Sequence, residues 1–343
     1  MPMHDYTRRR FLGLLGAPAA IMVAIMAGLL PAAADAADEK TRTVGIALGG
    51  GGANGLAHVP LLEMLDEMGL RPSHIAGSSI GAVIGALYAS GMSGAEIRGL
   101  IAEFFLSSED RFANGLLSEQ ARSWLDLVEV ELGNGGLLSS EGLIAFLFEQ
   151  LKASTFEELA IPLSVTAADL WTREEIVFDS GPLLPAVQAS MALPGVFEPV
   201  RHQGRVLVDG GAVNPVPFDR RLDRGDIVVA VDVAGVRTRP ENGKTSYFET
   251  VFNSVKVMQQ AIVSAKLEQR RPDIYLEPRI VDVRALEFYR ADEVFEMARP
   301  AAEQLEKELL SLLPGPQGAT GEQVSGLFGV SHPVGATAVG GAE

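Results

Sequence analysis

The chain has 343 residues, with 28 Lys and Arg against 44 Asp and Glu, and so a formal net charge of −16. Hydrophobic residues at 47% and charged residues at 21% are the proportions of a globular protein; they exclude a disordered polar chain and a polytopic membrane protein made of several long uncharged runs. The acidic balance argues against nucleic acid as a partner, because neutralising phosphates needs a basic surface, and the absence of cysteine rules out disulfides, thiol nucleophiles and thiolate metal sites.

Taken in chain order, the first segment reads as an export signal. Arg8, Arg9 and Arg10 precede residues 11–34, which carry no charge and are diluted by glycine and alanine. Ala34-Asp35-Ala36 then offers a small-residue cleavage pattern. The run Thr7 to Leu12 further resembles a bacterial twin-arginine signal. The expectation is an export signal over residues 1–36, with the mature protein periplasmic or on the non-cytoplasmic side of a membrane. Retention as a single-span anchor is the competing reading, since the apolar run is long enough to cross a bilayer.

Beyond the signal, strand and helix patterns alternate. Val44–Leu48 is a short apolar run bounded by glycines, the form of a buried strand. Leu56–Met68 has helical spacing and stops at Gly69; Ser73–Ala76 is a second strand, and Ile80–Ala89 a small-residue helix. Helices are expected at 94–105, 118–131 and 140–151, and strands at Leu163–Ala167, Glu175–Phe178, Arg205–Val208 and Ile227–Val233. The longest helix covers Tyr247–Gln269; Asp273–Leu276 is another strand, and a last helix at 291–313 contains Pro300, where a kink is expected. Residues 314–343 are rich in Gly, Ala, Pro and Val and read as a disordered tail. Strands separated by helices imply an α/β protein with a mostly parallel sheet covered on both faces.

Two glycine-bracketed segments carry the chemistry. Gly49-Gly50-Gly51-Gly52-Ala53-Asn54-Gly55 lies between a strand and a helix. No Lys-Ser or Lys-Thr pair ends it, so it is not a P-loop. Gly50, Gly52 and Gly55 satisfy a dinucleotide fingerprint, but Ser78 and Ser79 stand where the ribose-binding acid is required. In a third reading the loop is an oxyanion hole, its backbone N–H groups facing developing negative charge. The second segment, Gly77-Ser78-Ser79-Ile80-Gly81, has the G-x-S-x-G spacing of a nucleophile elbow, again after a strand and before a helix. Both segments follow neighbouring strands and so reach the same sheet edge.

A nucleophilic Ser79 needs a base. Of the five histidines, His4 lies in the signal, His332 in the tail, His58 on the helix after the glycine loop and His74 before the elbow strand, while nothing around His202 resembles a catalytic loop. A desolvated carboxylate can serve instead. Asp209 is the candidate, because the apolar strand Val206–Val208 delivers it into a turn made by Gly210 and Gly211.

These three elements in this order resemble the patatin-like phospholipases: GGGGANGLAH is similar to their oxyanion loop, GSSIGA to their elbow and VDGG to their aspartate motif. Secondary matches are Thr166–Leu170, Ala189–Gly195 and Asn214–Pro217. The resemblance implies a three-layer patatin-like fold, with a phospholipase domain over 44–222 and an α/β extension over 223–313 packed on the same domain. It also implies a Ser79–Asp209 dyad, an oxyanion hole from Gly50, Gly51, Gly52 and Ala53, an elbow framed by Gly77 and Gly81, and hydrolysis of lipid acyl esters without metal or organic cofactor. The partner would be a lipid or membrane surface. Asn54 departs from the pattern, standing where the family usually has Arg or Lys. Asp169 is read as structural, and the apolar helices between 94 and 151 as walls of an acyl pocket where they are not core. A nucleotide-dependent oxidoreductase, a non-catalytic lipid-binding protein and a peptidase or thioesterase using the same dyad remain as alternatives.

Overall fold

A computed structural model describes residues 42–103, 149–194, 196–220, 227–239, 247–285 and 287–313. The signal at 1–36, the tail at 314–343 and the helices expected at 118–131 and in most of 140–151 lie outside the described residues.

Strand β1 (Val44–Leu48) leads through the glycine loop into a 3-10 turn (Gly52–Ala57) and helix α1 (His58–Glu67). Strand β2 (His74–Ser78), α2 (Ile80–Ala89) and α3 (Gly94–Ile101) follow. After the undescribed segment come β3 (Leu163–Asp169), β4 (Glu175–Phe178), α4 (Leu183–Met191), β5 (Val200–His202) and β6 (Arg205–Asp209). The last elements are β7 (Ile227–Val231), α5 (Tyr247–Gln269), β8 (Ile274–Leu276) and α6 (Ala291–Leu312). Sequence patterning did not anticipate α4 or β5. The helix expected from Leu56 begins as the 3-10 turn, the second strand sits further along at His74–Ser78, and α6 passes through Pro300 without interruption.

One sheet holds all eight strands of the described residues in the order β5-β6-β3-β2-β1-β7-β8, with β4 also pairing β3. The run from β3 to β8 is parallel, whereas β4, β5 and β6 are antiparallel. Successive strand residues face opposite sides, and the two sides differ here. Val44, Ile46 and Leu48 pack with α1, α2 and α6 in the main core. On the other side Ala47, Ala76 and Ala230 meet Val263 of α5, with Val216 and Phe218. Three alanines leave room for a long helix to lie close to the sheet, so layers of helix cover both faces. The main-core helices are also tied by one side chain: Arg98 of α3 pairs with Glu63 of α1 and lies 4.0 Å from the ring of Phe295 in α6.

Strand order changes direction at β1. From β1 the chain builds outward to β2 and β3, then returns to place β7 on the opposite side. Loops leaving the carboxyl ends of β1 and β2 therefore open over a crevice at a topological switch point, where open α/β sheets bind ligands.

Candidate active site

Sheet register places the chemistry on one line. Leu48 is level with Gly77, Ser78 with Thr166, and Ala167 with Asp209. The glycine loop after Leu48, the serine after Ser78 and the last residue of β6 thus converge without any long loop having to reach.

Ser79 caps the N-terminus of α2 with φ 55° and ψ −129°. An L-residue rarely holds such a conformation, and its strain is retained where the surroundings over-determine it. The two framing glycines are part of those surroundings. A Cβ on Gly77 would lie 2.6 Å from Cα of Ala82, and one on Gly81 would lie 2.1 Å from the Leu48 carbonyl oxygen. Ser190 of α4 is another part: its Oγ accepts the Ser79 N–H at 2.8 Å. The motif around Ser190 was recognisable in the sequence, but nothing in it disclosed this contact.

Ser79 Oγ donates to Asp209 Oδ2 at 2.5 Å, and the Gly211 N–H donates to Asp209 Oδ1 at 2.7 Å. Asp209 is only 3% exposed. Burial pushes its carboxyl up to about 6, against the opposing pull of the hydrogen bonds from Ser79 and Gly211. Gly210 permits the turn, since a Cβ there would fall 2.2 Å from the Thr166 carbonyl oxygen.

The glycine loop faces Ser79 closely enough that a Cβ on Gly50 would lie 3.0 Å from that of Ser79. Its four expected donors are not equivalent. The Gly50 N–H is committed to the Pro215 carbonyl at 2.9 Å and the Ala53 N–H to that of Ala285 at 2.8 Å. Gly50 and Ala53 are therefore anchors of the loop and not free oxyanion donors. The N–H groups of Gly51 and Gly52 meet no acceptor among the described residues, and both residues line the cleft in front of Ser79. His58 supports the loop from behind, with Nε2 2.8 Å from the Gly49 carbonyl oxygen. Complete burial holds the imidazole down to about 4, so it is neutral and donates there.

No described histidine approaches the serine. His74 Nε2 is 2.9 Å from Ser164 Oγ, and His202 lies on β5 with its ring 5.4 Å from that of Phe178. Asp169 caps the β3–β4 turn through the N–H groups of Trp171 and Thr172, and pairs with Arg205. It plays the structural part expected of it. Asn54 is buried, and its Nδ2 donates to the Ala234 carbonyl at 3.0 Å. Among the described residues no group of three or more His, Asp or Glu is gathered as a metal site.

The cleft has a largely apolar lining. Its walls come from Met191, Leu193, Phe197, Phe252, Val255 and Phe288, with Lys256 and Gln259 beside them. Thus α5 and the segment after α4 supply described walls of the cleft; of the helices expected between 94 and 151, α3 packs on α1, and the other two lie almost entirely outside the described residues. Such a site can present a serine hydroxyl, held by a desolvated carboxylate, to a carbonyl in a cleft lined by two glycines whose N–H groups have no acceptor among the described residues. That is the equipment of a covalent acyl-transfer catalyst.

The chain belongs to the patatin-like phospholipase family, whose family model matches residues 46–221. An uncharacterized NTE family protein of Mycobacterium tuberculosis is 33% identical over 211 residues, covering 61% of this chain and 54% of the relative. Patatin-like phospholipase domain-containing protein 7 of Rattus norvegicus is 29% identical over 74% of this chain and 20% of its own length. For lysophospholipase nte1 of Aspergillus fumigatus the figures are 28%, 79% and 18%. The chain thus spans about half the length of the mycobacterial relative and a fifth or less of the other two. Among solved structures, VipD from Legionella pneumophila shows a TM-score of 0.43 at 18% identity, covering 78% of this chain and 67% of that one.

Proposed function

We propose that this protein is a serine hydrolase of lipid acyl esters in which Ser79 is the nucleophile and Asp209 the base. The observation that carries the reading is the hydrogen bond from Ser79 Oγ to the buried Asp209, on an elbow that opens into a cleft also lined by Gly51 and Gly52, whose N–H groups meet no acceptor among the described residues. Asp209 accepts the hydroxyl proton as Ser79 Oγ attacks the ester carbonyl, and the oxyanion is held by Gly51 and Gly52. Collapse of the tetrahedral species breaks the ester C–O bond, and the proton passes from Asp209 to the departing alcohol. Water deprotonated by Asp209 then hydrolyses the acyl-serine and releases the fatty acid. Family membership and the lysophospholipase name of the Aspergillus relative support a phospholipid or lysophospholipid substrate. The apolar walls of the cleft support an acyl chain as the group bound. The basic, apolar and small-residue order of residues 1–36 supports action outside the cytoplasm.

The test is fatty-acid release from mixed phospholipids and lysophospholipids, followed by mass spectrometry, with Ser79→Ala as the control. Release by the parent and a fall of about a thousandfold or more in the variant is expected. Equal release by both would remove Ser79 from the reaction.

A further inference from the structure

Lys256 and Gln259 stand one helical turn apart on α5, and both line the cleft that holds Ser79 and Asp209. Among the described lining residues Lys256 is the only cation and Asp209 the only carboxylate. Lys256 Nζ donates to the Ala234 carbonyl at 2.7 Å, the same oxygen that accepts from Asn54 Nδ2. That bond uses one of three ammonium donors. No described carboxylate forms an ion pair with Lys256; Asp232, whose charge acts on it favourably, accepts from the Ala234 N–H and the Tyr275 hydroxyl. Burial and the neighbouring Arg237 hold the ammonium below the usual lysine range. A half-buried cation with spare donors and no carboxylate in ion-pair contact among the described residues gains from a ligand that brings a negative charge. The glycine loop itself supplies no cation, because Asn54 is neutral.

We propose that Lys256 is the specificity-determining cation of this cleft and takes the phosphate of a lipid whose acyl chain lies on the Phe252, Val255 and Phe288 wall. The inference rests on the acyl-ester reading for its catalytic consequence. Its binding part depends only on the arrangement of Lys256 beside an apolar wall. Anchoring the phosphate would fix how far the ester carbonyl sits from Ser79, so charge recognition and positioning become one event.

Binding is measured by calorimetry on the full chain with dodecyl phosphate, dodecanol and inorganic phosphate. Dodecyl phosphate should bind more tightly than either of the others. Its affinity should fall about tenfold or more in K256M and K256Q and stay within about threefold in K256R. K256Q retains a donor for Ala234 but carries no charge, so it separates loss of charge from loss of the carbonyl bond. Unchanged affinity in both uncharged variants would overturn the proposal, and so would inorganic phosphate binding as tightly as the alkyl phosphate. In parallel, the ratio of kcat/KM for a lysophospholipid to that for an uncharged ester of the same chain should fall about tenfold in K256M. A parent that binds dodecyl phosphate through Lys256 yet cleaves neither ester would leave the phosphate site standing and remove the hydrolase reading. A parent that cleaves both esters, with a ratio indifferent to K256M and K256Q, would do the reverse.

Discussion

In the proposed mechanism Asp209 has to be a charged base where burial disfavours charge, and the stability of the fold should register that conflict. Its carboxyl is pushed from the ordinary 3.8 to about 6, and each pKa unit corresponds to about 1.4 kcal/mol. The folded state therefore carries a penalty of about 3 kcal/mol once both folded and unfolded forms are ionised. The sign follows from a raised pKa. Below about pH 4 the carboxyl is protonated in both states and there is no penalty; as pH rises through about 6 the stability is lost. Asn at this position keeps the local bonds, with Oδ1 accepting from Gly211 and Nδ2 donating to Ser79 Oγ. Asp209→Asn should then be more stable than the parent by about 2–3 kcal/mol near neutral pH, or about 5 °C in Tm at about 2 °C per kcal/mol. Urea unfolding followed by circular dichroism measures the gap, which should close on acidification towards pH 4. His58, held down to about 4 by burial, destabilises the fold on acidification, but it is common to both proteins and cancels in the difference. A variant no more stable than the parent near neutrality, or a gap independent of pH, would refute the argument.

Under the proposed mechanism the same carboxyl sets the pH dependence of turnover: kcat/KM for an uncharged ester should rise as pH increases through about 6 and then level off, because a base at Asp209 must be ionised. A limb centred near 4 would mean that the base is not this buried group. Ser190→Ala removes the acceptor for the Ser79 N–H, so it should cost about 1–3 kcal/mol of stability. It should also lower kcat more than it alters KM, and the split in steady-state kinetics tests that role. Gly52 holds φ 60°, and a Cβ there would lie 2.4 Å from the Ala285 carbonyl oxygen. Gly52→Ala should consequently destabilise the protein by about 1–3 kcal/mol and abolish ester cleavage, as read by chemical denaturation and a chromogenic ester.

What was legible in the sequence was local. The strands β1 and β7 are continuous apolar runs because both faces of a central parallel strand are covered. The elbow is marked by glycines two positions to either side of Ser79. Helix α4 escaped notice because Pro185 interrupts its pattern; a proline in the first turn removes only an N–H that has no helical partner. The non-equivalence of the oxyanion donors was invisible for a different reason. Gly50 and Ala53 are taken by carbonyls of Pro215 and Ala285, and a backbone acceptor leaves no trace in side-chain identity. Likewise the i, i+3 spacing of Lys256 and Gln259 follows from the helix, but which face of α5 meets the cleft depends on how the helix crosses the sheet. Asn54, conspicuous as a departure in the loop, turns out to be packed against Gly235 and bonded to Ala234, so its place is set by a segment about 180 positions away.

That distance has a consequence for how the protein is made. Strand β7 pairs with all five residues of β1, from Val44↔Ile227 to Leu48↔Val231, and lies beyond the family-matched residues 46–221. Until it emerges and docks, β1 is an open edge bearing Val44, Ile46 and Leu48, the type of surface that recruits other chains. Pairing across so long a stretch is slow, because loop closure must precede the contacts that reward it. A chain ending at Leu222 should expose that edge permanently and precipitate, although it contains Ser79 and Asp209. The chemistry is encoded early in the chain, but the sheet that holds it cannot be completed until the later third has been synthesised.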